Sequence, residues 1–400
     1  MRNFKRVASV SVPLIVVLIL LFPPRCTGPS TVQFAGEIDS ISAYHVPDQR
    51  EGICDVTLYR FGKEYVLKGE TDNPSARDEI VAFLKGKGVI FADSLQVLPD
   101  RSAVKSPWGL VNVSVCNMRS HHSHSAEMVS QAVMGTPVKI LKVQGSWYLL
   151  QTPDRYLGWV DTEAVYLMDE EEARKWRGSP RTMYMKKTGD IYADPAKKGI
   201  VSDIVIGSIL EIKGAAGSMR EVLLPDGRKG YIDMNDMVPF TGLDNKLQSL
   251  TSDMARLAVS FTGIPYLWGG TSSKGFDCSG FVKTIYFLNG VILARDASLQ
   301  FRHGIKLGRS AYPDSLMTGD LLFFGSVRGG VPRPTHVGMY IGNTEFIHAS
   351  GMVKINSLDS ARANFSKGRR DSFLGVRRII GAVPGEGVQL VLEHNWYINN

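Results

Sequence analysis

Apolar and polar positions along the chain change texture four times after its N-terminus. Asp55-Val-Thr-Leu-Tyr-Arg and Tyr65-Val-Leu-Lys look like two strands on either side of Gly62-Lys63, which predicts a hairpin. Residues 75–85 then carry Ile80, Val81, Phe83 and Leu84 on a broad helical face. Together these make residues 33–100 a small α/β unit, in which no chemistry is visible. From 108 to 167 the apolar runs shorten and are broken by Gly, Pro and Asp, and 138–143, 147–150 and 156–160 read as strands of a small β-barrel. The pattern returns about 72 residues later. Glu127-Met-Val-Ser-Gln-Ala-Val-Met-Gly is echoed by Gly199-Ile-Val-Ser-Asp-Ile-Val-Ile-Gly, and Tyr156-Leu-Gly-Trp-Val-Asp by Arg228-Lys-Gly-Tyr-Ile-Asp. A second barrel over 178–240 is therefore expected, joined to the first by the charged, helical stretch 170–177. Residues 245–385 differ again. An amphipathic helix over 249–262 (Met254, Leu257, Ala258 and Phe261 on one face) and a second helix entered at Cys278 precede strand-like runs at 320–324, 336–341 and 345–348, an α+β arrangement.

The N-terminus follows a different rule. Residues 1–6 are basic, and 7–22 form an uncharged apolar run, short for a membrane span and laid out like an export signal. An exported chain, periplasmic or membrane-anchored and facing the periplasm, is expected. Cys26 stands where a lipid-modified cysteine would, although Arg25 is unlike the small residue that precedes such sites, so attachment and cleavage both stay open. The formal charge of +7 includes four basic residues among the first 26, and a chain starting after Cys26 would carry +3. With no basic cluster interleaved with aromatics, a nucleic-acid partner is excluded. Four cysteines in 400 residues make no disulfide scaffold, and no Cys or His spacing suits zinc, so neither metal nor cofactor is expected. Cys54 and Cys116 have apolar neighbours and read as buried small hydrophobes, a bond between them staying open.

Cys278 reads differently. It stands between Asp277 and Ser279, after a Gly-rich loop and at the start of an apolar helix, where the helix N-terminus favours thiolate. A catalytic thiolate needs an imidazole base and a polar group to orient it. His336 begins an apolar strand, and His348 ends the next short one after Gly342-Asn343. Antiparallel pairing would bring both rings to one end of the sheet, His336 as base and His348 as the orienting group. His121, His122 and His124 form a loop-like cluster better suited to solvent than to metal.

Pro265-Tyr-x-Trp-Gly-Gly, Phe276-Asp-Cys-Ser-Gly-Phe, Thr335-His-Val-Gly-x-Tyr and Phe346-Ile-His-Ala-Ser resemble the blocks of the NlpC/P60 cysteine peptidases, and both barrel repeats resemble bacterial SH3 (SH3b) domains. The resemblance implies a papain-like catalytic domain behind two SH3b barrels, with Cys278 as nucleophile, His336 as base and His348 as orienting residue. It extends to the subgroup resembling dipeptidyl-peptidase VI, the γ-D-glutamyl-L-diamino-acid endopeptidases that cut murein peptides with a free N-terminal L-Ala. There Glu127 and Tyr156 match an acid and a tyrosine closing the pocket around the substrate ammonium. Tyr266, Asp277 and Ser279 match residues flanking the nucleophile, and Asp296 and Ala297, in Arg295-Asp-Ala, match a further contact block. A buried ammonium needs carboxylates, here expected from Glu127 and Asp277. Gly199 and Arg228 stand at the corresponding places of the second copy, which is expected to be scaffold. The rival readings are a broader wall hydrolase tethered by SH3b domains, which Glu127 and Tyr156 oppose, and a non-catalytic wall-binding protein, which the Cys/His/His set opposes.

Overall fold

The computed structural model describes residues 30, 31, 34–243, 251–382, 384, 385 and 387–399. The basic and apolar N-terminal stretches, Cys26 and the expected boundary at 245 lie outside them. The first unit is a four-stranded sheet in the order Ser30–Thr31, Cys54–Phe61, Glu64–Thr71, Phe91–Val97. The expected hairpin is there, closing Phe61 onto Glu64 through Gly62 at φ 64°. Two helices, α1 (Ala35–His45) and α2 (Pro74–Gly86), pack on it. The Asn73 side chain caps α2 by accepting from the Ala76 amide at 3.1 Å, with Pro74 just inside, and Ala76, Ile80 and Leu84 form its buried face. Cys54 lies in this core and Cys116 in the next one, and both are free thiols.

Two seven-stranded antiparallel sheets follow, over 108–168 and 181–239. With strands counted along the chain, both have the spatial order 7-1-4-5-6-2-3, the second read from its opposite edge. The repeat in the sequence is thus a repeat in connectivity. Its most regular signature has a steric cause: a Cβ on Gly158 would lie 2.8 Å from Met118 Cβ, and one on Gly230 2.3 Å from Ile191 Cγ2. The aspartates ending the two motifs, Asp161 and Asp233, each accept from the amide two residues on and start a single 3-10 turn. Helix α3 (Glu170–Gly178) joins the sheets, and Asp169 and Glu172 form its capping box.

The last unit contains α4 (Thr251–Ser260), α5 (Cys278–Phe287) and a six-stranded antiparallel sheet. Its order is Ile305–Leu307, Phe373–Arg378, Leu321–Arg328, Val331–Gly342, Glu345–Ser350, Met352–Ser357. The apolar face of α5 (Phe281, Val282, Ile285) is fully buried in one core with Leu321, Phe323, Val337, Met339 and Ile347 of the sheet. Phe261, at the end of α4, packs edge-on against Phe276 and Phe281. This packing holds the N-terminus of α5 against the strand Val331–Gly342.

Candidate active site

Asp277 caps α5, its Oδ1 accepting from the Gly280 amide at 2.7 Å, and so fixes Cys278 as the first helical residue. The thiol is 7% exposed. The amides of Val337 and Ser279 hydrogen-bond toward its sulfur, which favours thiolate, but burial and the neighbouring Asp277 charge outweigh them and push the thiol up to about 11. The expectation of a thiol lowered by the helix terminus is therefore corrected. Local geometry supplies the donors, and tertiary packing removes the water that would solvate the anion.

Strand register assembles the imidazoles. Gly338 pairs with the neighbourhood of His348, since Met339 faces Ile347, and His348 faces Lys354 on the next strand. His336, His348 and Asn356 therefore share one sheet face on three successive strands, each diagonal to the next. Close approach is allowed because position 338 is glycine: a Cβ there would lie 2.8 Å from Phe346 Cδ2 and 3.1 Å from His348 Cβ. His336 Nε2 is 2.7 Å from His348 Nδ1, and His348 Nε2 is 2.9 Å from Asn356 Oδ1. The Asn356 amide donates from Nδ2 to the Asn364 carbonyl at 2.9 Å, which turns Oδ1 toward His348. An amide oxygen only accepts, so His348 carries its proton on Nε2 and offers Nδ1 as a lone pair. His336 must then donate from Nε2, and its Nδ1 is left bare as a base. Burial, helped by the Arg369 charge, holds His336 far below the usual histidine range, and burial lowers His348 as well. The resting set is a neutral thiol and two neutral imidazoles.

A cavity of ≈ 270 Å³ opens beside Cys278. Among the predicted residues it is lined by Glu127, Tyr156, Tyr266, Asp277, Cys278, Ser279, Asp296 and Ala297, while His336 and His348 lie in the sheet outside this lining. The strand Met128–Val133 of the first barrel builds one wall because it docks on the last unit. Gln131 accepts from the Thr271 amide at 3.1 Å and from Ser272 Oγ at 3.0 Å, and Ser130 Oγ receives Arg295 Nε at 2.9 Å. That docking sets Glu127 at the cavity mouth, where its Oε1 accepts from Trp268 Nε1 at 2.7 Å. Tyr156 donates to Asp296 Oδ2 at 3.1 Å. Burial and Asp296 keep this phenol protonated, and burial, Cys278 and Asp277 push Tyr266 up to about 12.

Asp277 departs from expectation. Arg295, 1% exposed, holds it in a two-pronged ion pair at 2.6 and 3.1 Å, while Gly269 and Gly280 amides and Ser279 Oγ occupy the remaining directions. Its carboxylate is a structural anion, and Asp296 is likewise paired with Arg50, so among the described residues Glu127 is the cavity-lining carboxylate with no cation against it. The first unit also reaches the site, against the reading that it carries no chemistry. Arg50 lines the cavity and donates from Nη1 to Asp296 Oδ2 at 2.6 Å and Ser298 Oγ at 3.0 Å. Asp48, held down to about 2 by that guanidinium, anchors its other side. The His121, His122 and His124 side chains are exposed, as expected, and among the described residues no group of His, Cys, Asp or Glu is arranged to hold a metal ion.

The NlpC/P60 family profile matches residues 263–369, which include Cys278, His336, His348 and Asn356. A probable endopeptidase NlpC homolog of Haemophilus influenzae is 37% identical over 150 residues, which are 32% of this chain and 76% of that protein. The chain belongs to the NlpC/P60 family. This NlpC/P60 protein also matches the bacterial SH3 domain profile over 113–166, the first barrel. A gamma-D-glutamyl-L-lysine dipeptidyl-peptidase of Bacillus cereus is 29% identical over 269 residues, 64% of this chain and 77% of that one. The crystal structure of an NlpC/P60 family protein from Bacillus cereus superposes with TM-score 0.59 at 24% identity, over 68% of this chain and 99% of that one, and so shares the fold.

Sequence reasoning missed three residues of the site. Asn356 was within reach, because it lies eight positions after His348 on the strand that a turn at Gly351 implies. Arg50 carries no local signal, and Trp268 lies inside a quoted motif in which no role is assigned to it.

Proposed function

We propose that this NlpC/P60 protein is a cysteine peptidase that hydrolyses the γ-D-Glu–diamino-acid bond of murein peptides with a free N-terminal L-Ala. The observation that carries the reading is the cavity beside Cys278, which Glu127 at its mouth, the Tyr156 hydroxyl and Asp296 line together. At ≈ 270 Å³ it lies near the lower end of the roughly 300–1,000 Å³ of small-molecule sites, a size that suits a short peptide. The Glu127 carboxylate and the neutral hydroxyls beside it suit an ammonium, which is costly to bury unpaired. The names of the Bacillus relatives support the same substrate class.

In this scheme the Cys278 thiol passes its proton to His336 Nδ1 as sulfur attacks the γ-carbonyl. The Cys278 amide, in the first turn of α5 where N–H groups have no partner within the helix, and the protonated Tyr266 phenol are donors suited to the oxyanion. His336 then gives the proton to the departing amine, leaving a thioester between Cys278 and the dipeptide. Water, deprotonated by His336, attacks the thioester, releases the dipeptide carboxylate and restores the thiol. The barrel over 181–239 contributes no residue to the cavity lining, which supports its reading as a second SH3b domain serving as scaffold. The basic-then-apolar N-terminus supports export to the periplasm, testable by cell fractionation.

The test is kcat/KM on L-Ala-γ-D-Glu-diaminopimelate with a free and an acetylated amine. Acetylation removes the cation that Glu127 would pair and adds bulk, while Asp296 keeps Arg50, a penalty of roughly 2 kcal/mol, or about 30-fold. Glu127→Gln should lose much of that preference and His121→Ala none of it. Equal values for the two wild-type substrates would overturn the reading in favour of a broad wall hydrolase.

A further inference from the structure

One cation beside the reacting groups takes no part in this scheme. Arg369 lies in the short helix Lys367–Asp371, its guanidinium over the Phe324 ring at 5.6 Å from the centroid. That ring is 5.8 Å from the His336 ring. Arg369 Nη2 donates to Ser350 Oγ at 3.3 Å, and the next residue, Gly351, accepts from the Tyr266 amide at 2.9 Å. The side chain is thus fixed where the sheet meets the Tyr266 segment, and its charge acts on Cys278, Tyr266 and His336. It is not among the residues that line the cavity with Glu127, Tyr156 and Asp296, and it neighbours the His336 side of the site across the Phe324 ring.

Its partners are few for a partly buried arginine. Arg50, Arg295 and Arg378 each hold a carboxylate, and the buried Arg181 and Arg377 each donate to two backbone carbonyls. Arg369 is half-buried, yet no Asp or Glu pairs with it among the described residues, and one serine oxygen accepts from its five N–H groups. A guanidinium left partly desolvated without an anion, in a fork that matches carboxylate geometry, is a vacancy for an anion.

The substrate proposed above brings one. With its amine beside Glu127 and its γ-carbonyl at Cys278, the leaving amine lies toward His336, which must protonate it. In a tripeptide the α-carboxylate is two bonds from that nitrogen. We propose that Arg369 is a subsite for the carboxylate of the departing diamino acid, so that the enzyme favours peptides ending one residue past the cut. The identity of this carboxylate rests on the substrate reading above, whereas an anion subsite beside Cys278 can be tested without it.

Two measurements on the full chain separate these. The first is the rate of Cys278 alkylation by iodoacetate relative to neutral iodoacetamide, followed by mass mapping. Any change in thiolate fraction cancels in the ratio, and Arg369→Ala should lower it about tenfold or more, with Arg369→Lys in between. The second is kcat/KM for L-Ala-γ-D-Glu-L-Lys and its C-terminal amide. The wild type should prefer the free acid by about 10- to 100-fold, and the preference should vanish in Arg369→Ala. Unchanged ratios in Arg369→Ala, with a wild-type melting profile, overturn the subsite, as does a collapse caused by Lys354→Ala instead. Hydrolysis of neither tripeptide, with the alkylation ratio still falling in Arg369→Ala, overturns the substrate reading and upholds the anion subsite. Equal hydrolysis of acid and amide by the wild type does the reverse.

Discussion

Asn356 offers the most discriminating perturbation of the catalytic scheme, because its role depends on the direction of a proton and not on contact with substrate. Three bonds in series, Asn364 carbonyl to Asn356, Asn356 to His348 and His348 to His336, leave Nδ1 of His336 unprotonated. Reversing the proton order would set a bare His348 nitrogen against the Asn356 oxygen and place a proton on the atom that must accept one. Asn356→Ala removes that bias. If the two proton orders become comparable, about half the molecules are miswired, a factor of about 2. Losing one neutral hydrogen bond of about 1 kcal/mol also lets His348 swing, a further factor of about 5. The expected fall in kcat is about tenfold, with KM unchanged because Asn356 does not line the cavity. His348→Ala, which removes the ring itself, should cost more. Asn356→Asp supplies the sign test. A carboxylate still accepts from His348 Nε2, and more strongly, so the proton order survives and kcat should recover toward wild type. Were Asn356 merely a packing residue, aspartate would be the worse substitution, since it buries a charge and loses the donor to the Asn364 carbonyl. Wild-type kcat in Asn356→Ala, or Asn356→Asp slower than Asn356→Ala, refutes the proton-ordering argument.

Two further outcomes follow from the same site. Cys278→Ala should fold and melt like wild type yet show no hydrolysis above a no-enzyme control, because thioester formation has no substitute nucleophile; measurable turnover by the folded variant would rule out the thiol route. Stability should also fall in acid. Burial holds His336 and His348 below the ordinary value near 6.5, His348 at about 4, so below pH 6.5 the unfolded chain binds protons that the folded site refuses. Stability is full above that pH and declines as pH drops toward 4, by about 2 to 3 kcal/mol per histidine at pH 4.5. Melts at pH 7 and 4.5 on wild type and a His336→Gln/His348→Gln double variant check this, and equal acid sensitivity in the two would contradict it.

What the sequence could reveal about this site depended on how far each interaction runs along the chain. Cys278 at a helix start and two histidines on neighbouring strands are local facts, readable from apolar runs and turn residues. The same period-two rule reaches Asn356 once a third strand is drawn after Gly351. Asp277 was seen but assigned wrongly, because a helix-capping aspartate and an ammonium ligand look alike until Arg295 is found clamped on it. The thiol's raised pKa likewise comes from packing that no local pattern reports. Arg50 meets Asp296 across 246 positions, and nothing near residue 50 announces it.

The two barrels sharpen the point, since they share one strand order and differ in what they do for the cavity. At the paired positions the first has Glu127 and Tyr156, both lining the cavity. The second has Gly199 and Arg228, and Arg228 is bound to its own Asp226 and to the Val201 carbonyl. Connectivity is set by glycines that admit a neighbouring strand and by aspartates that start a turn, and both copies keep these. The cavity-lining Glu127 and Tyr156 of the first copy sit just before its third and sixth strands. A scaffold duplicated along the chain therefore predicts where such side chains can sit, and the residue types at those places tell which copy uses them.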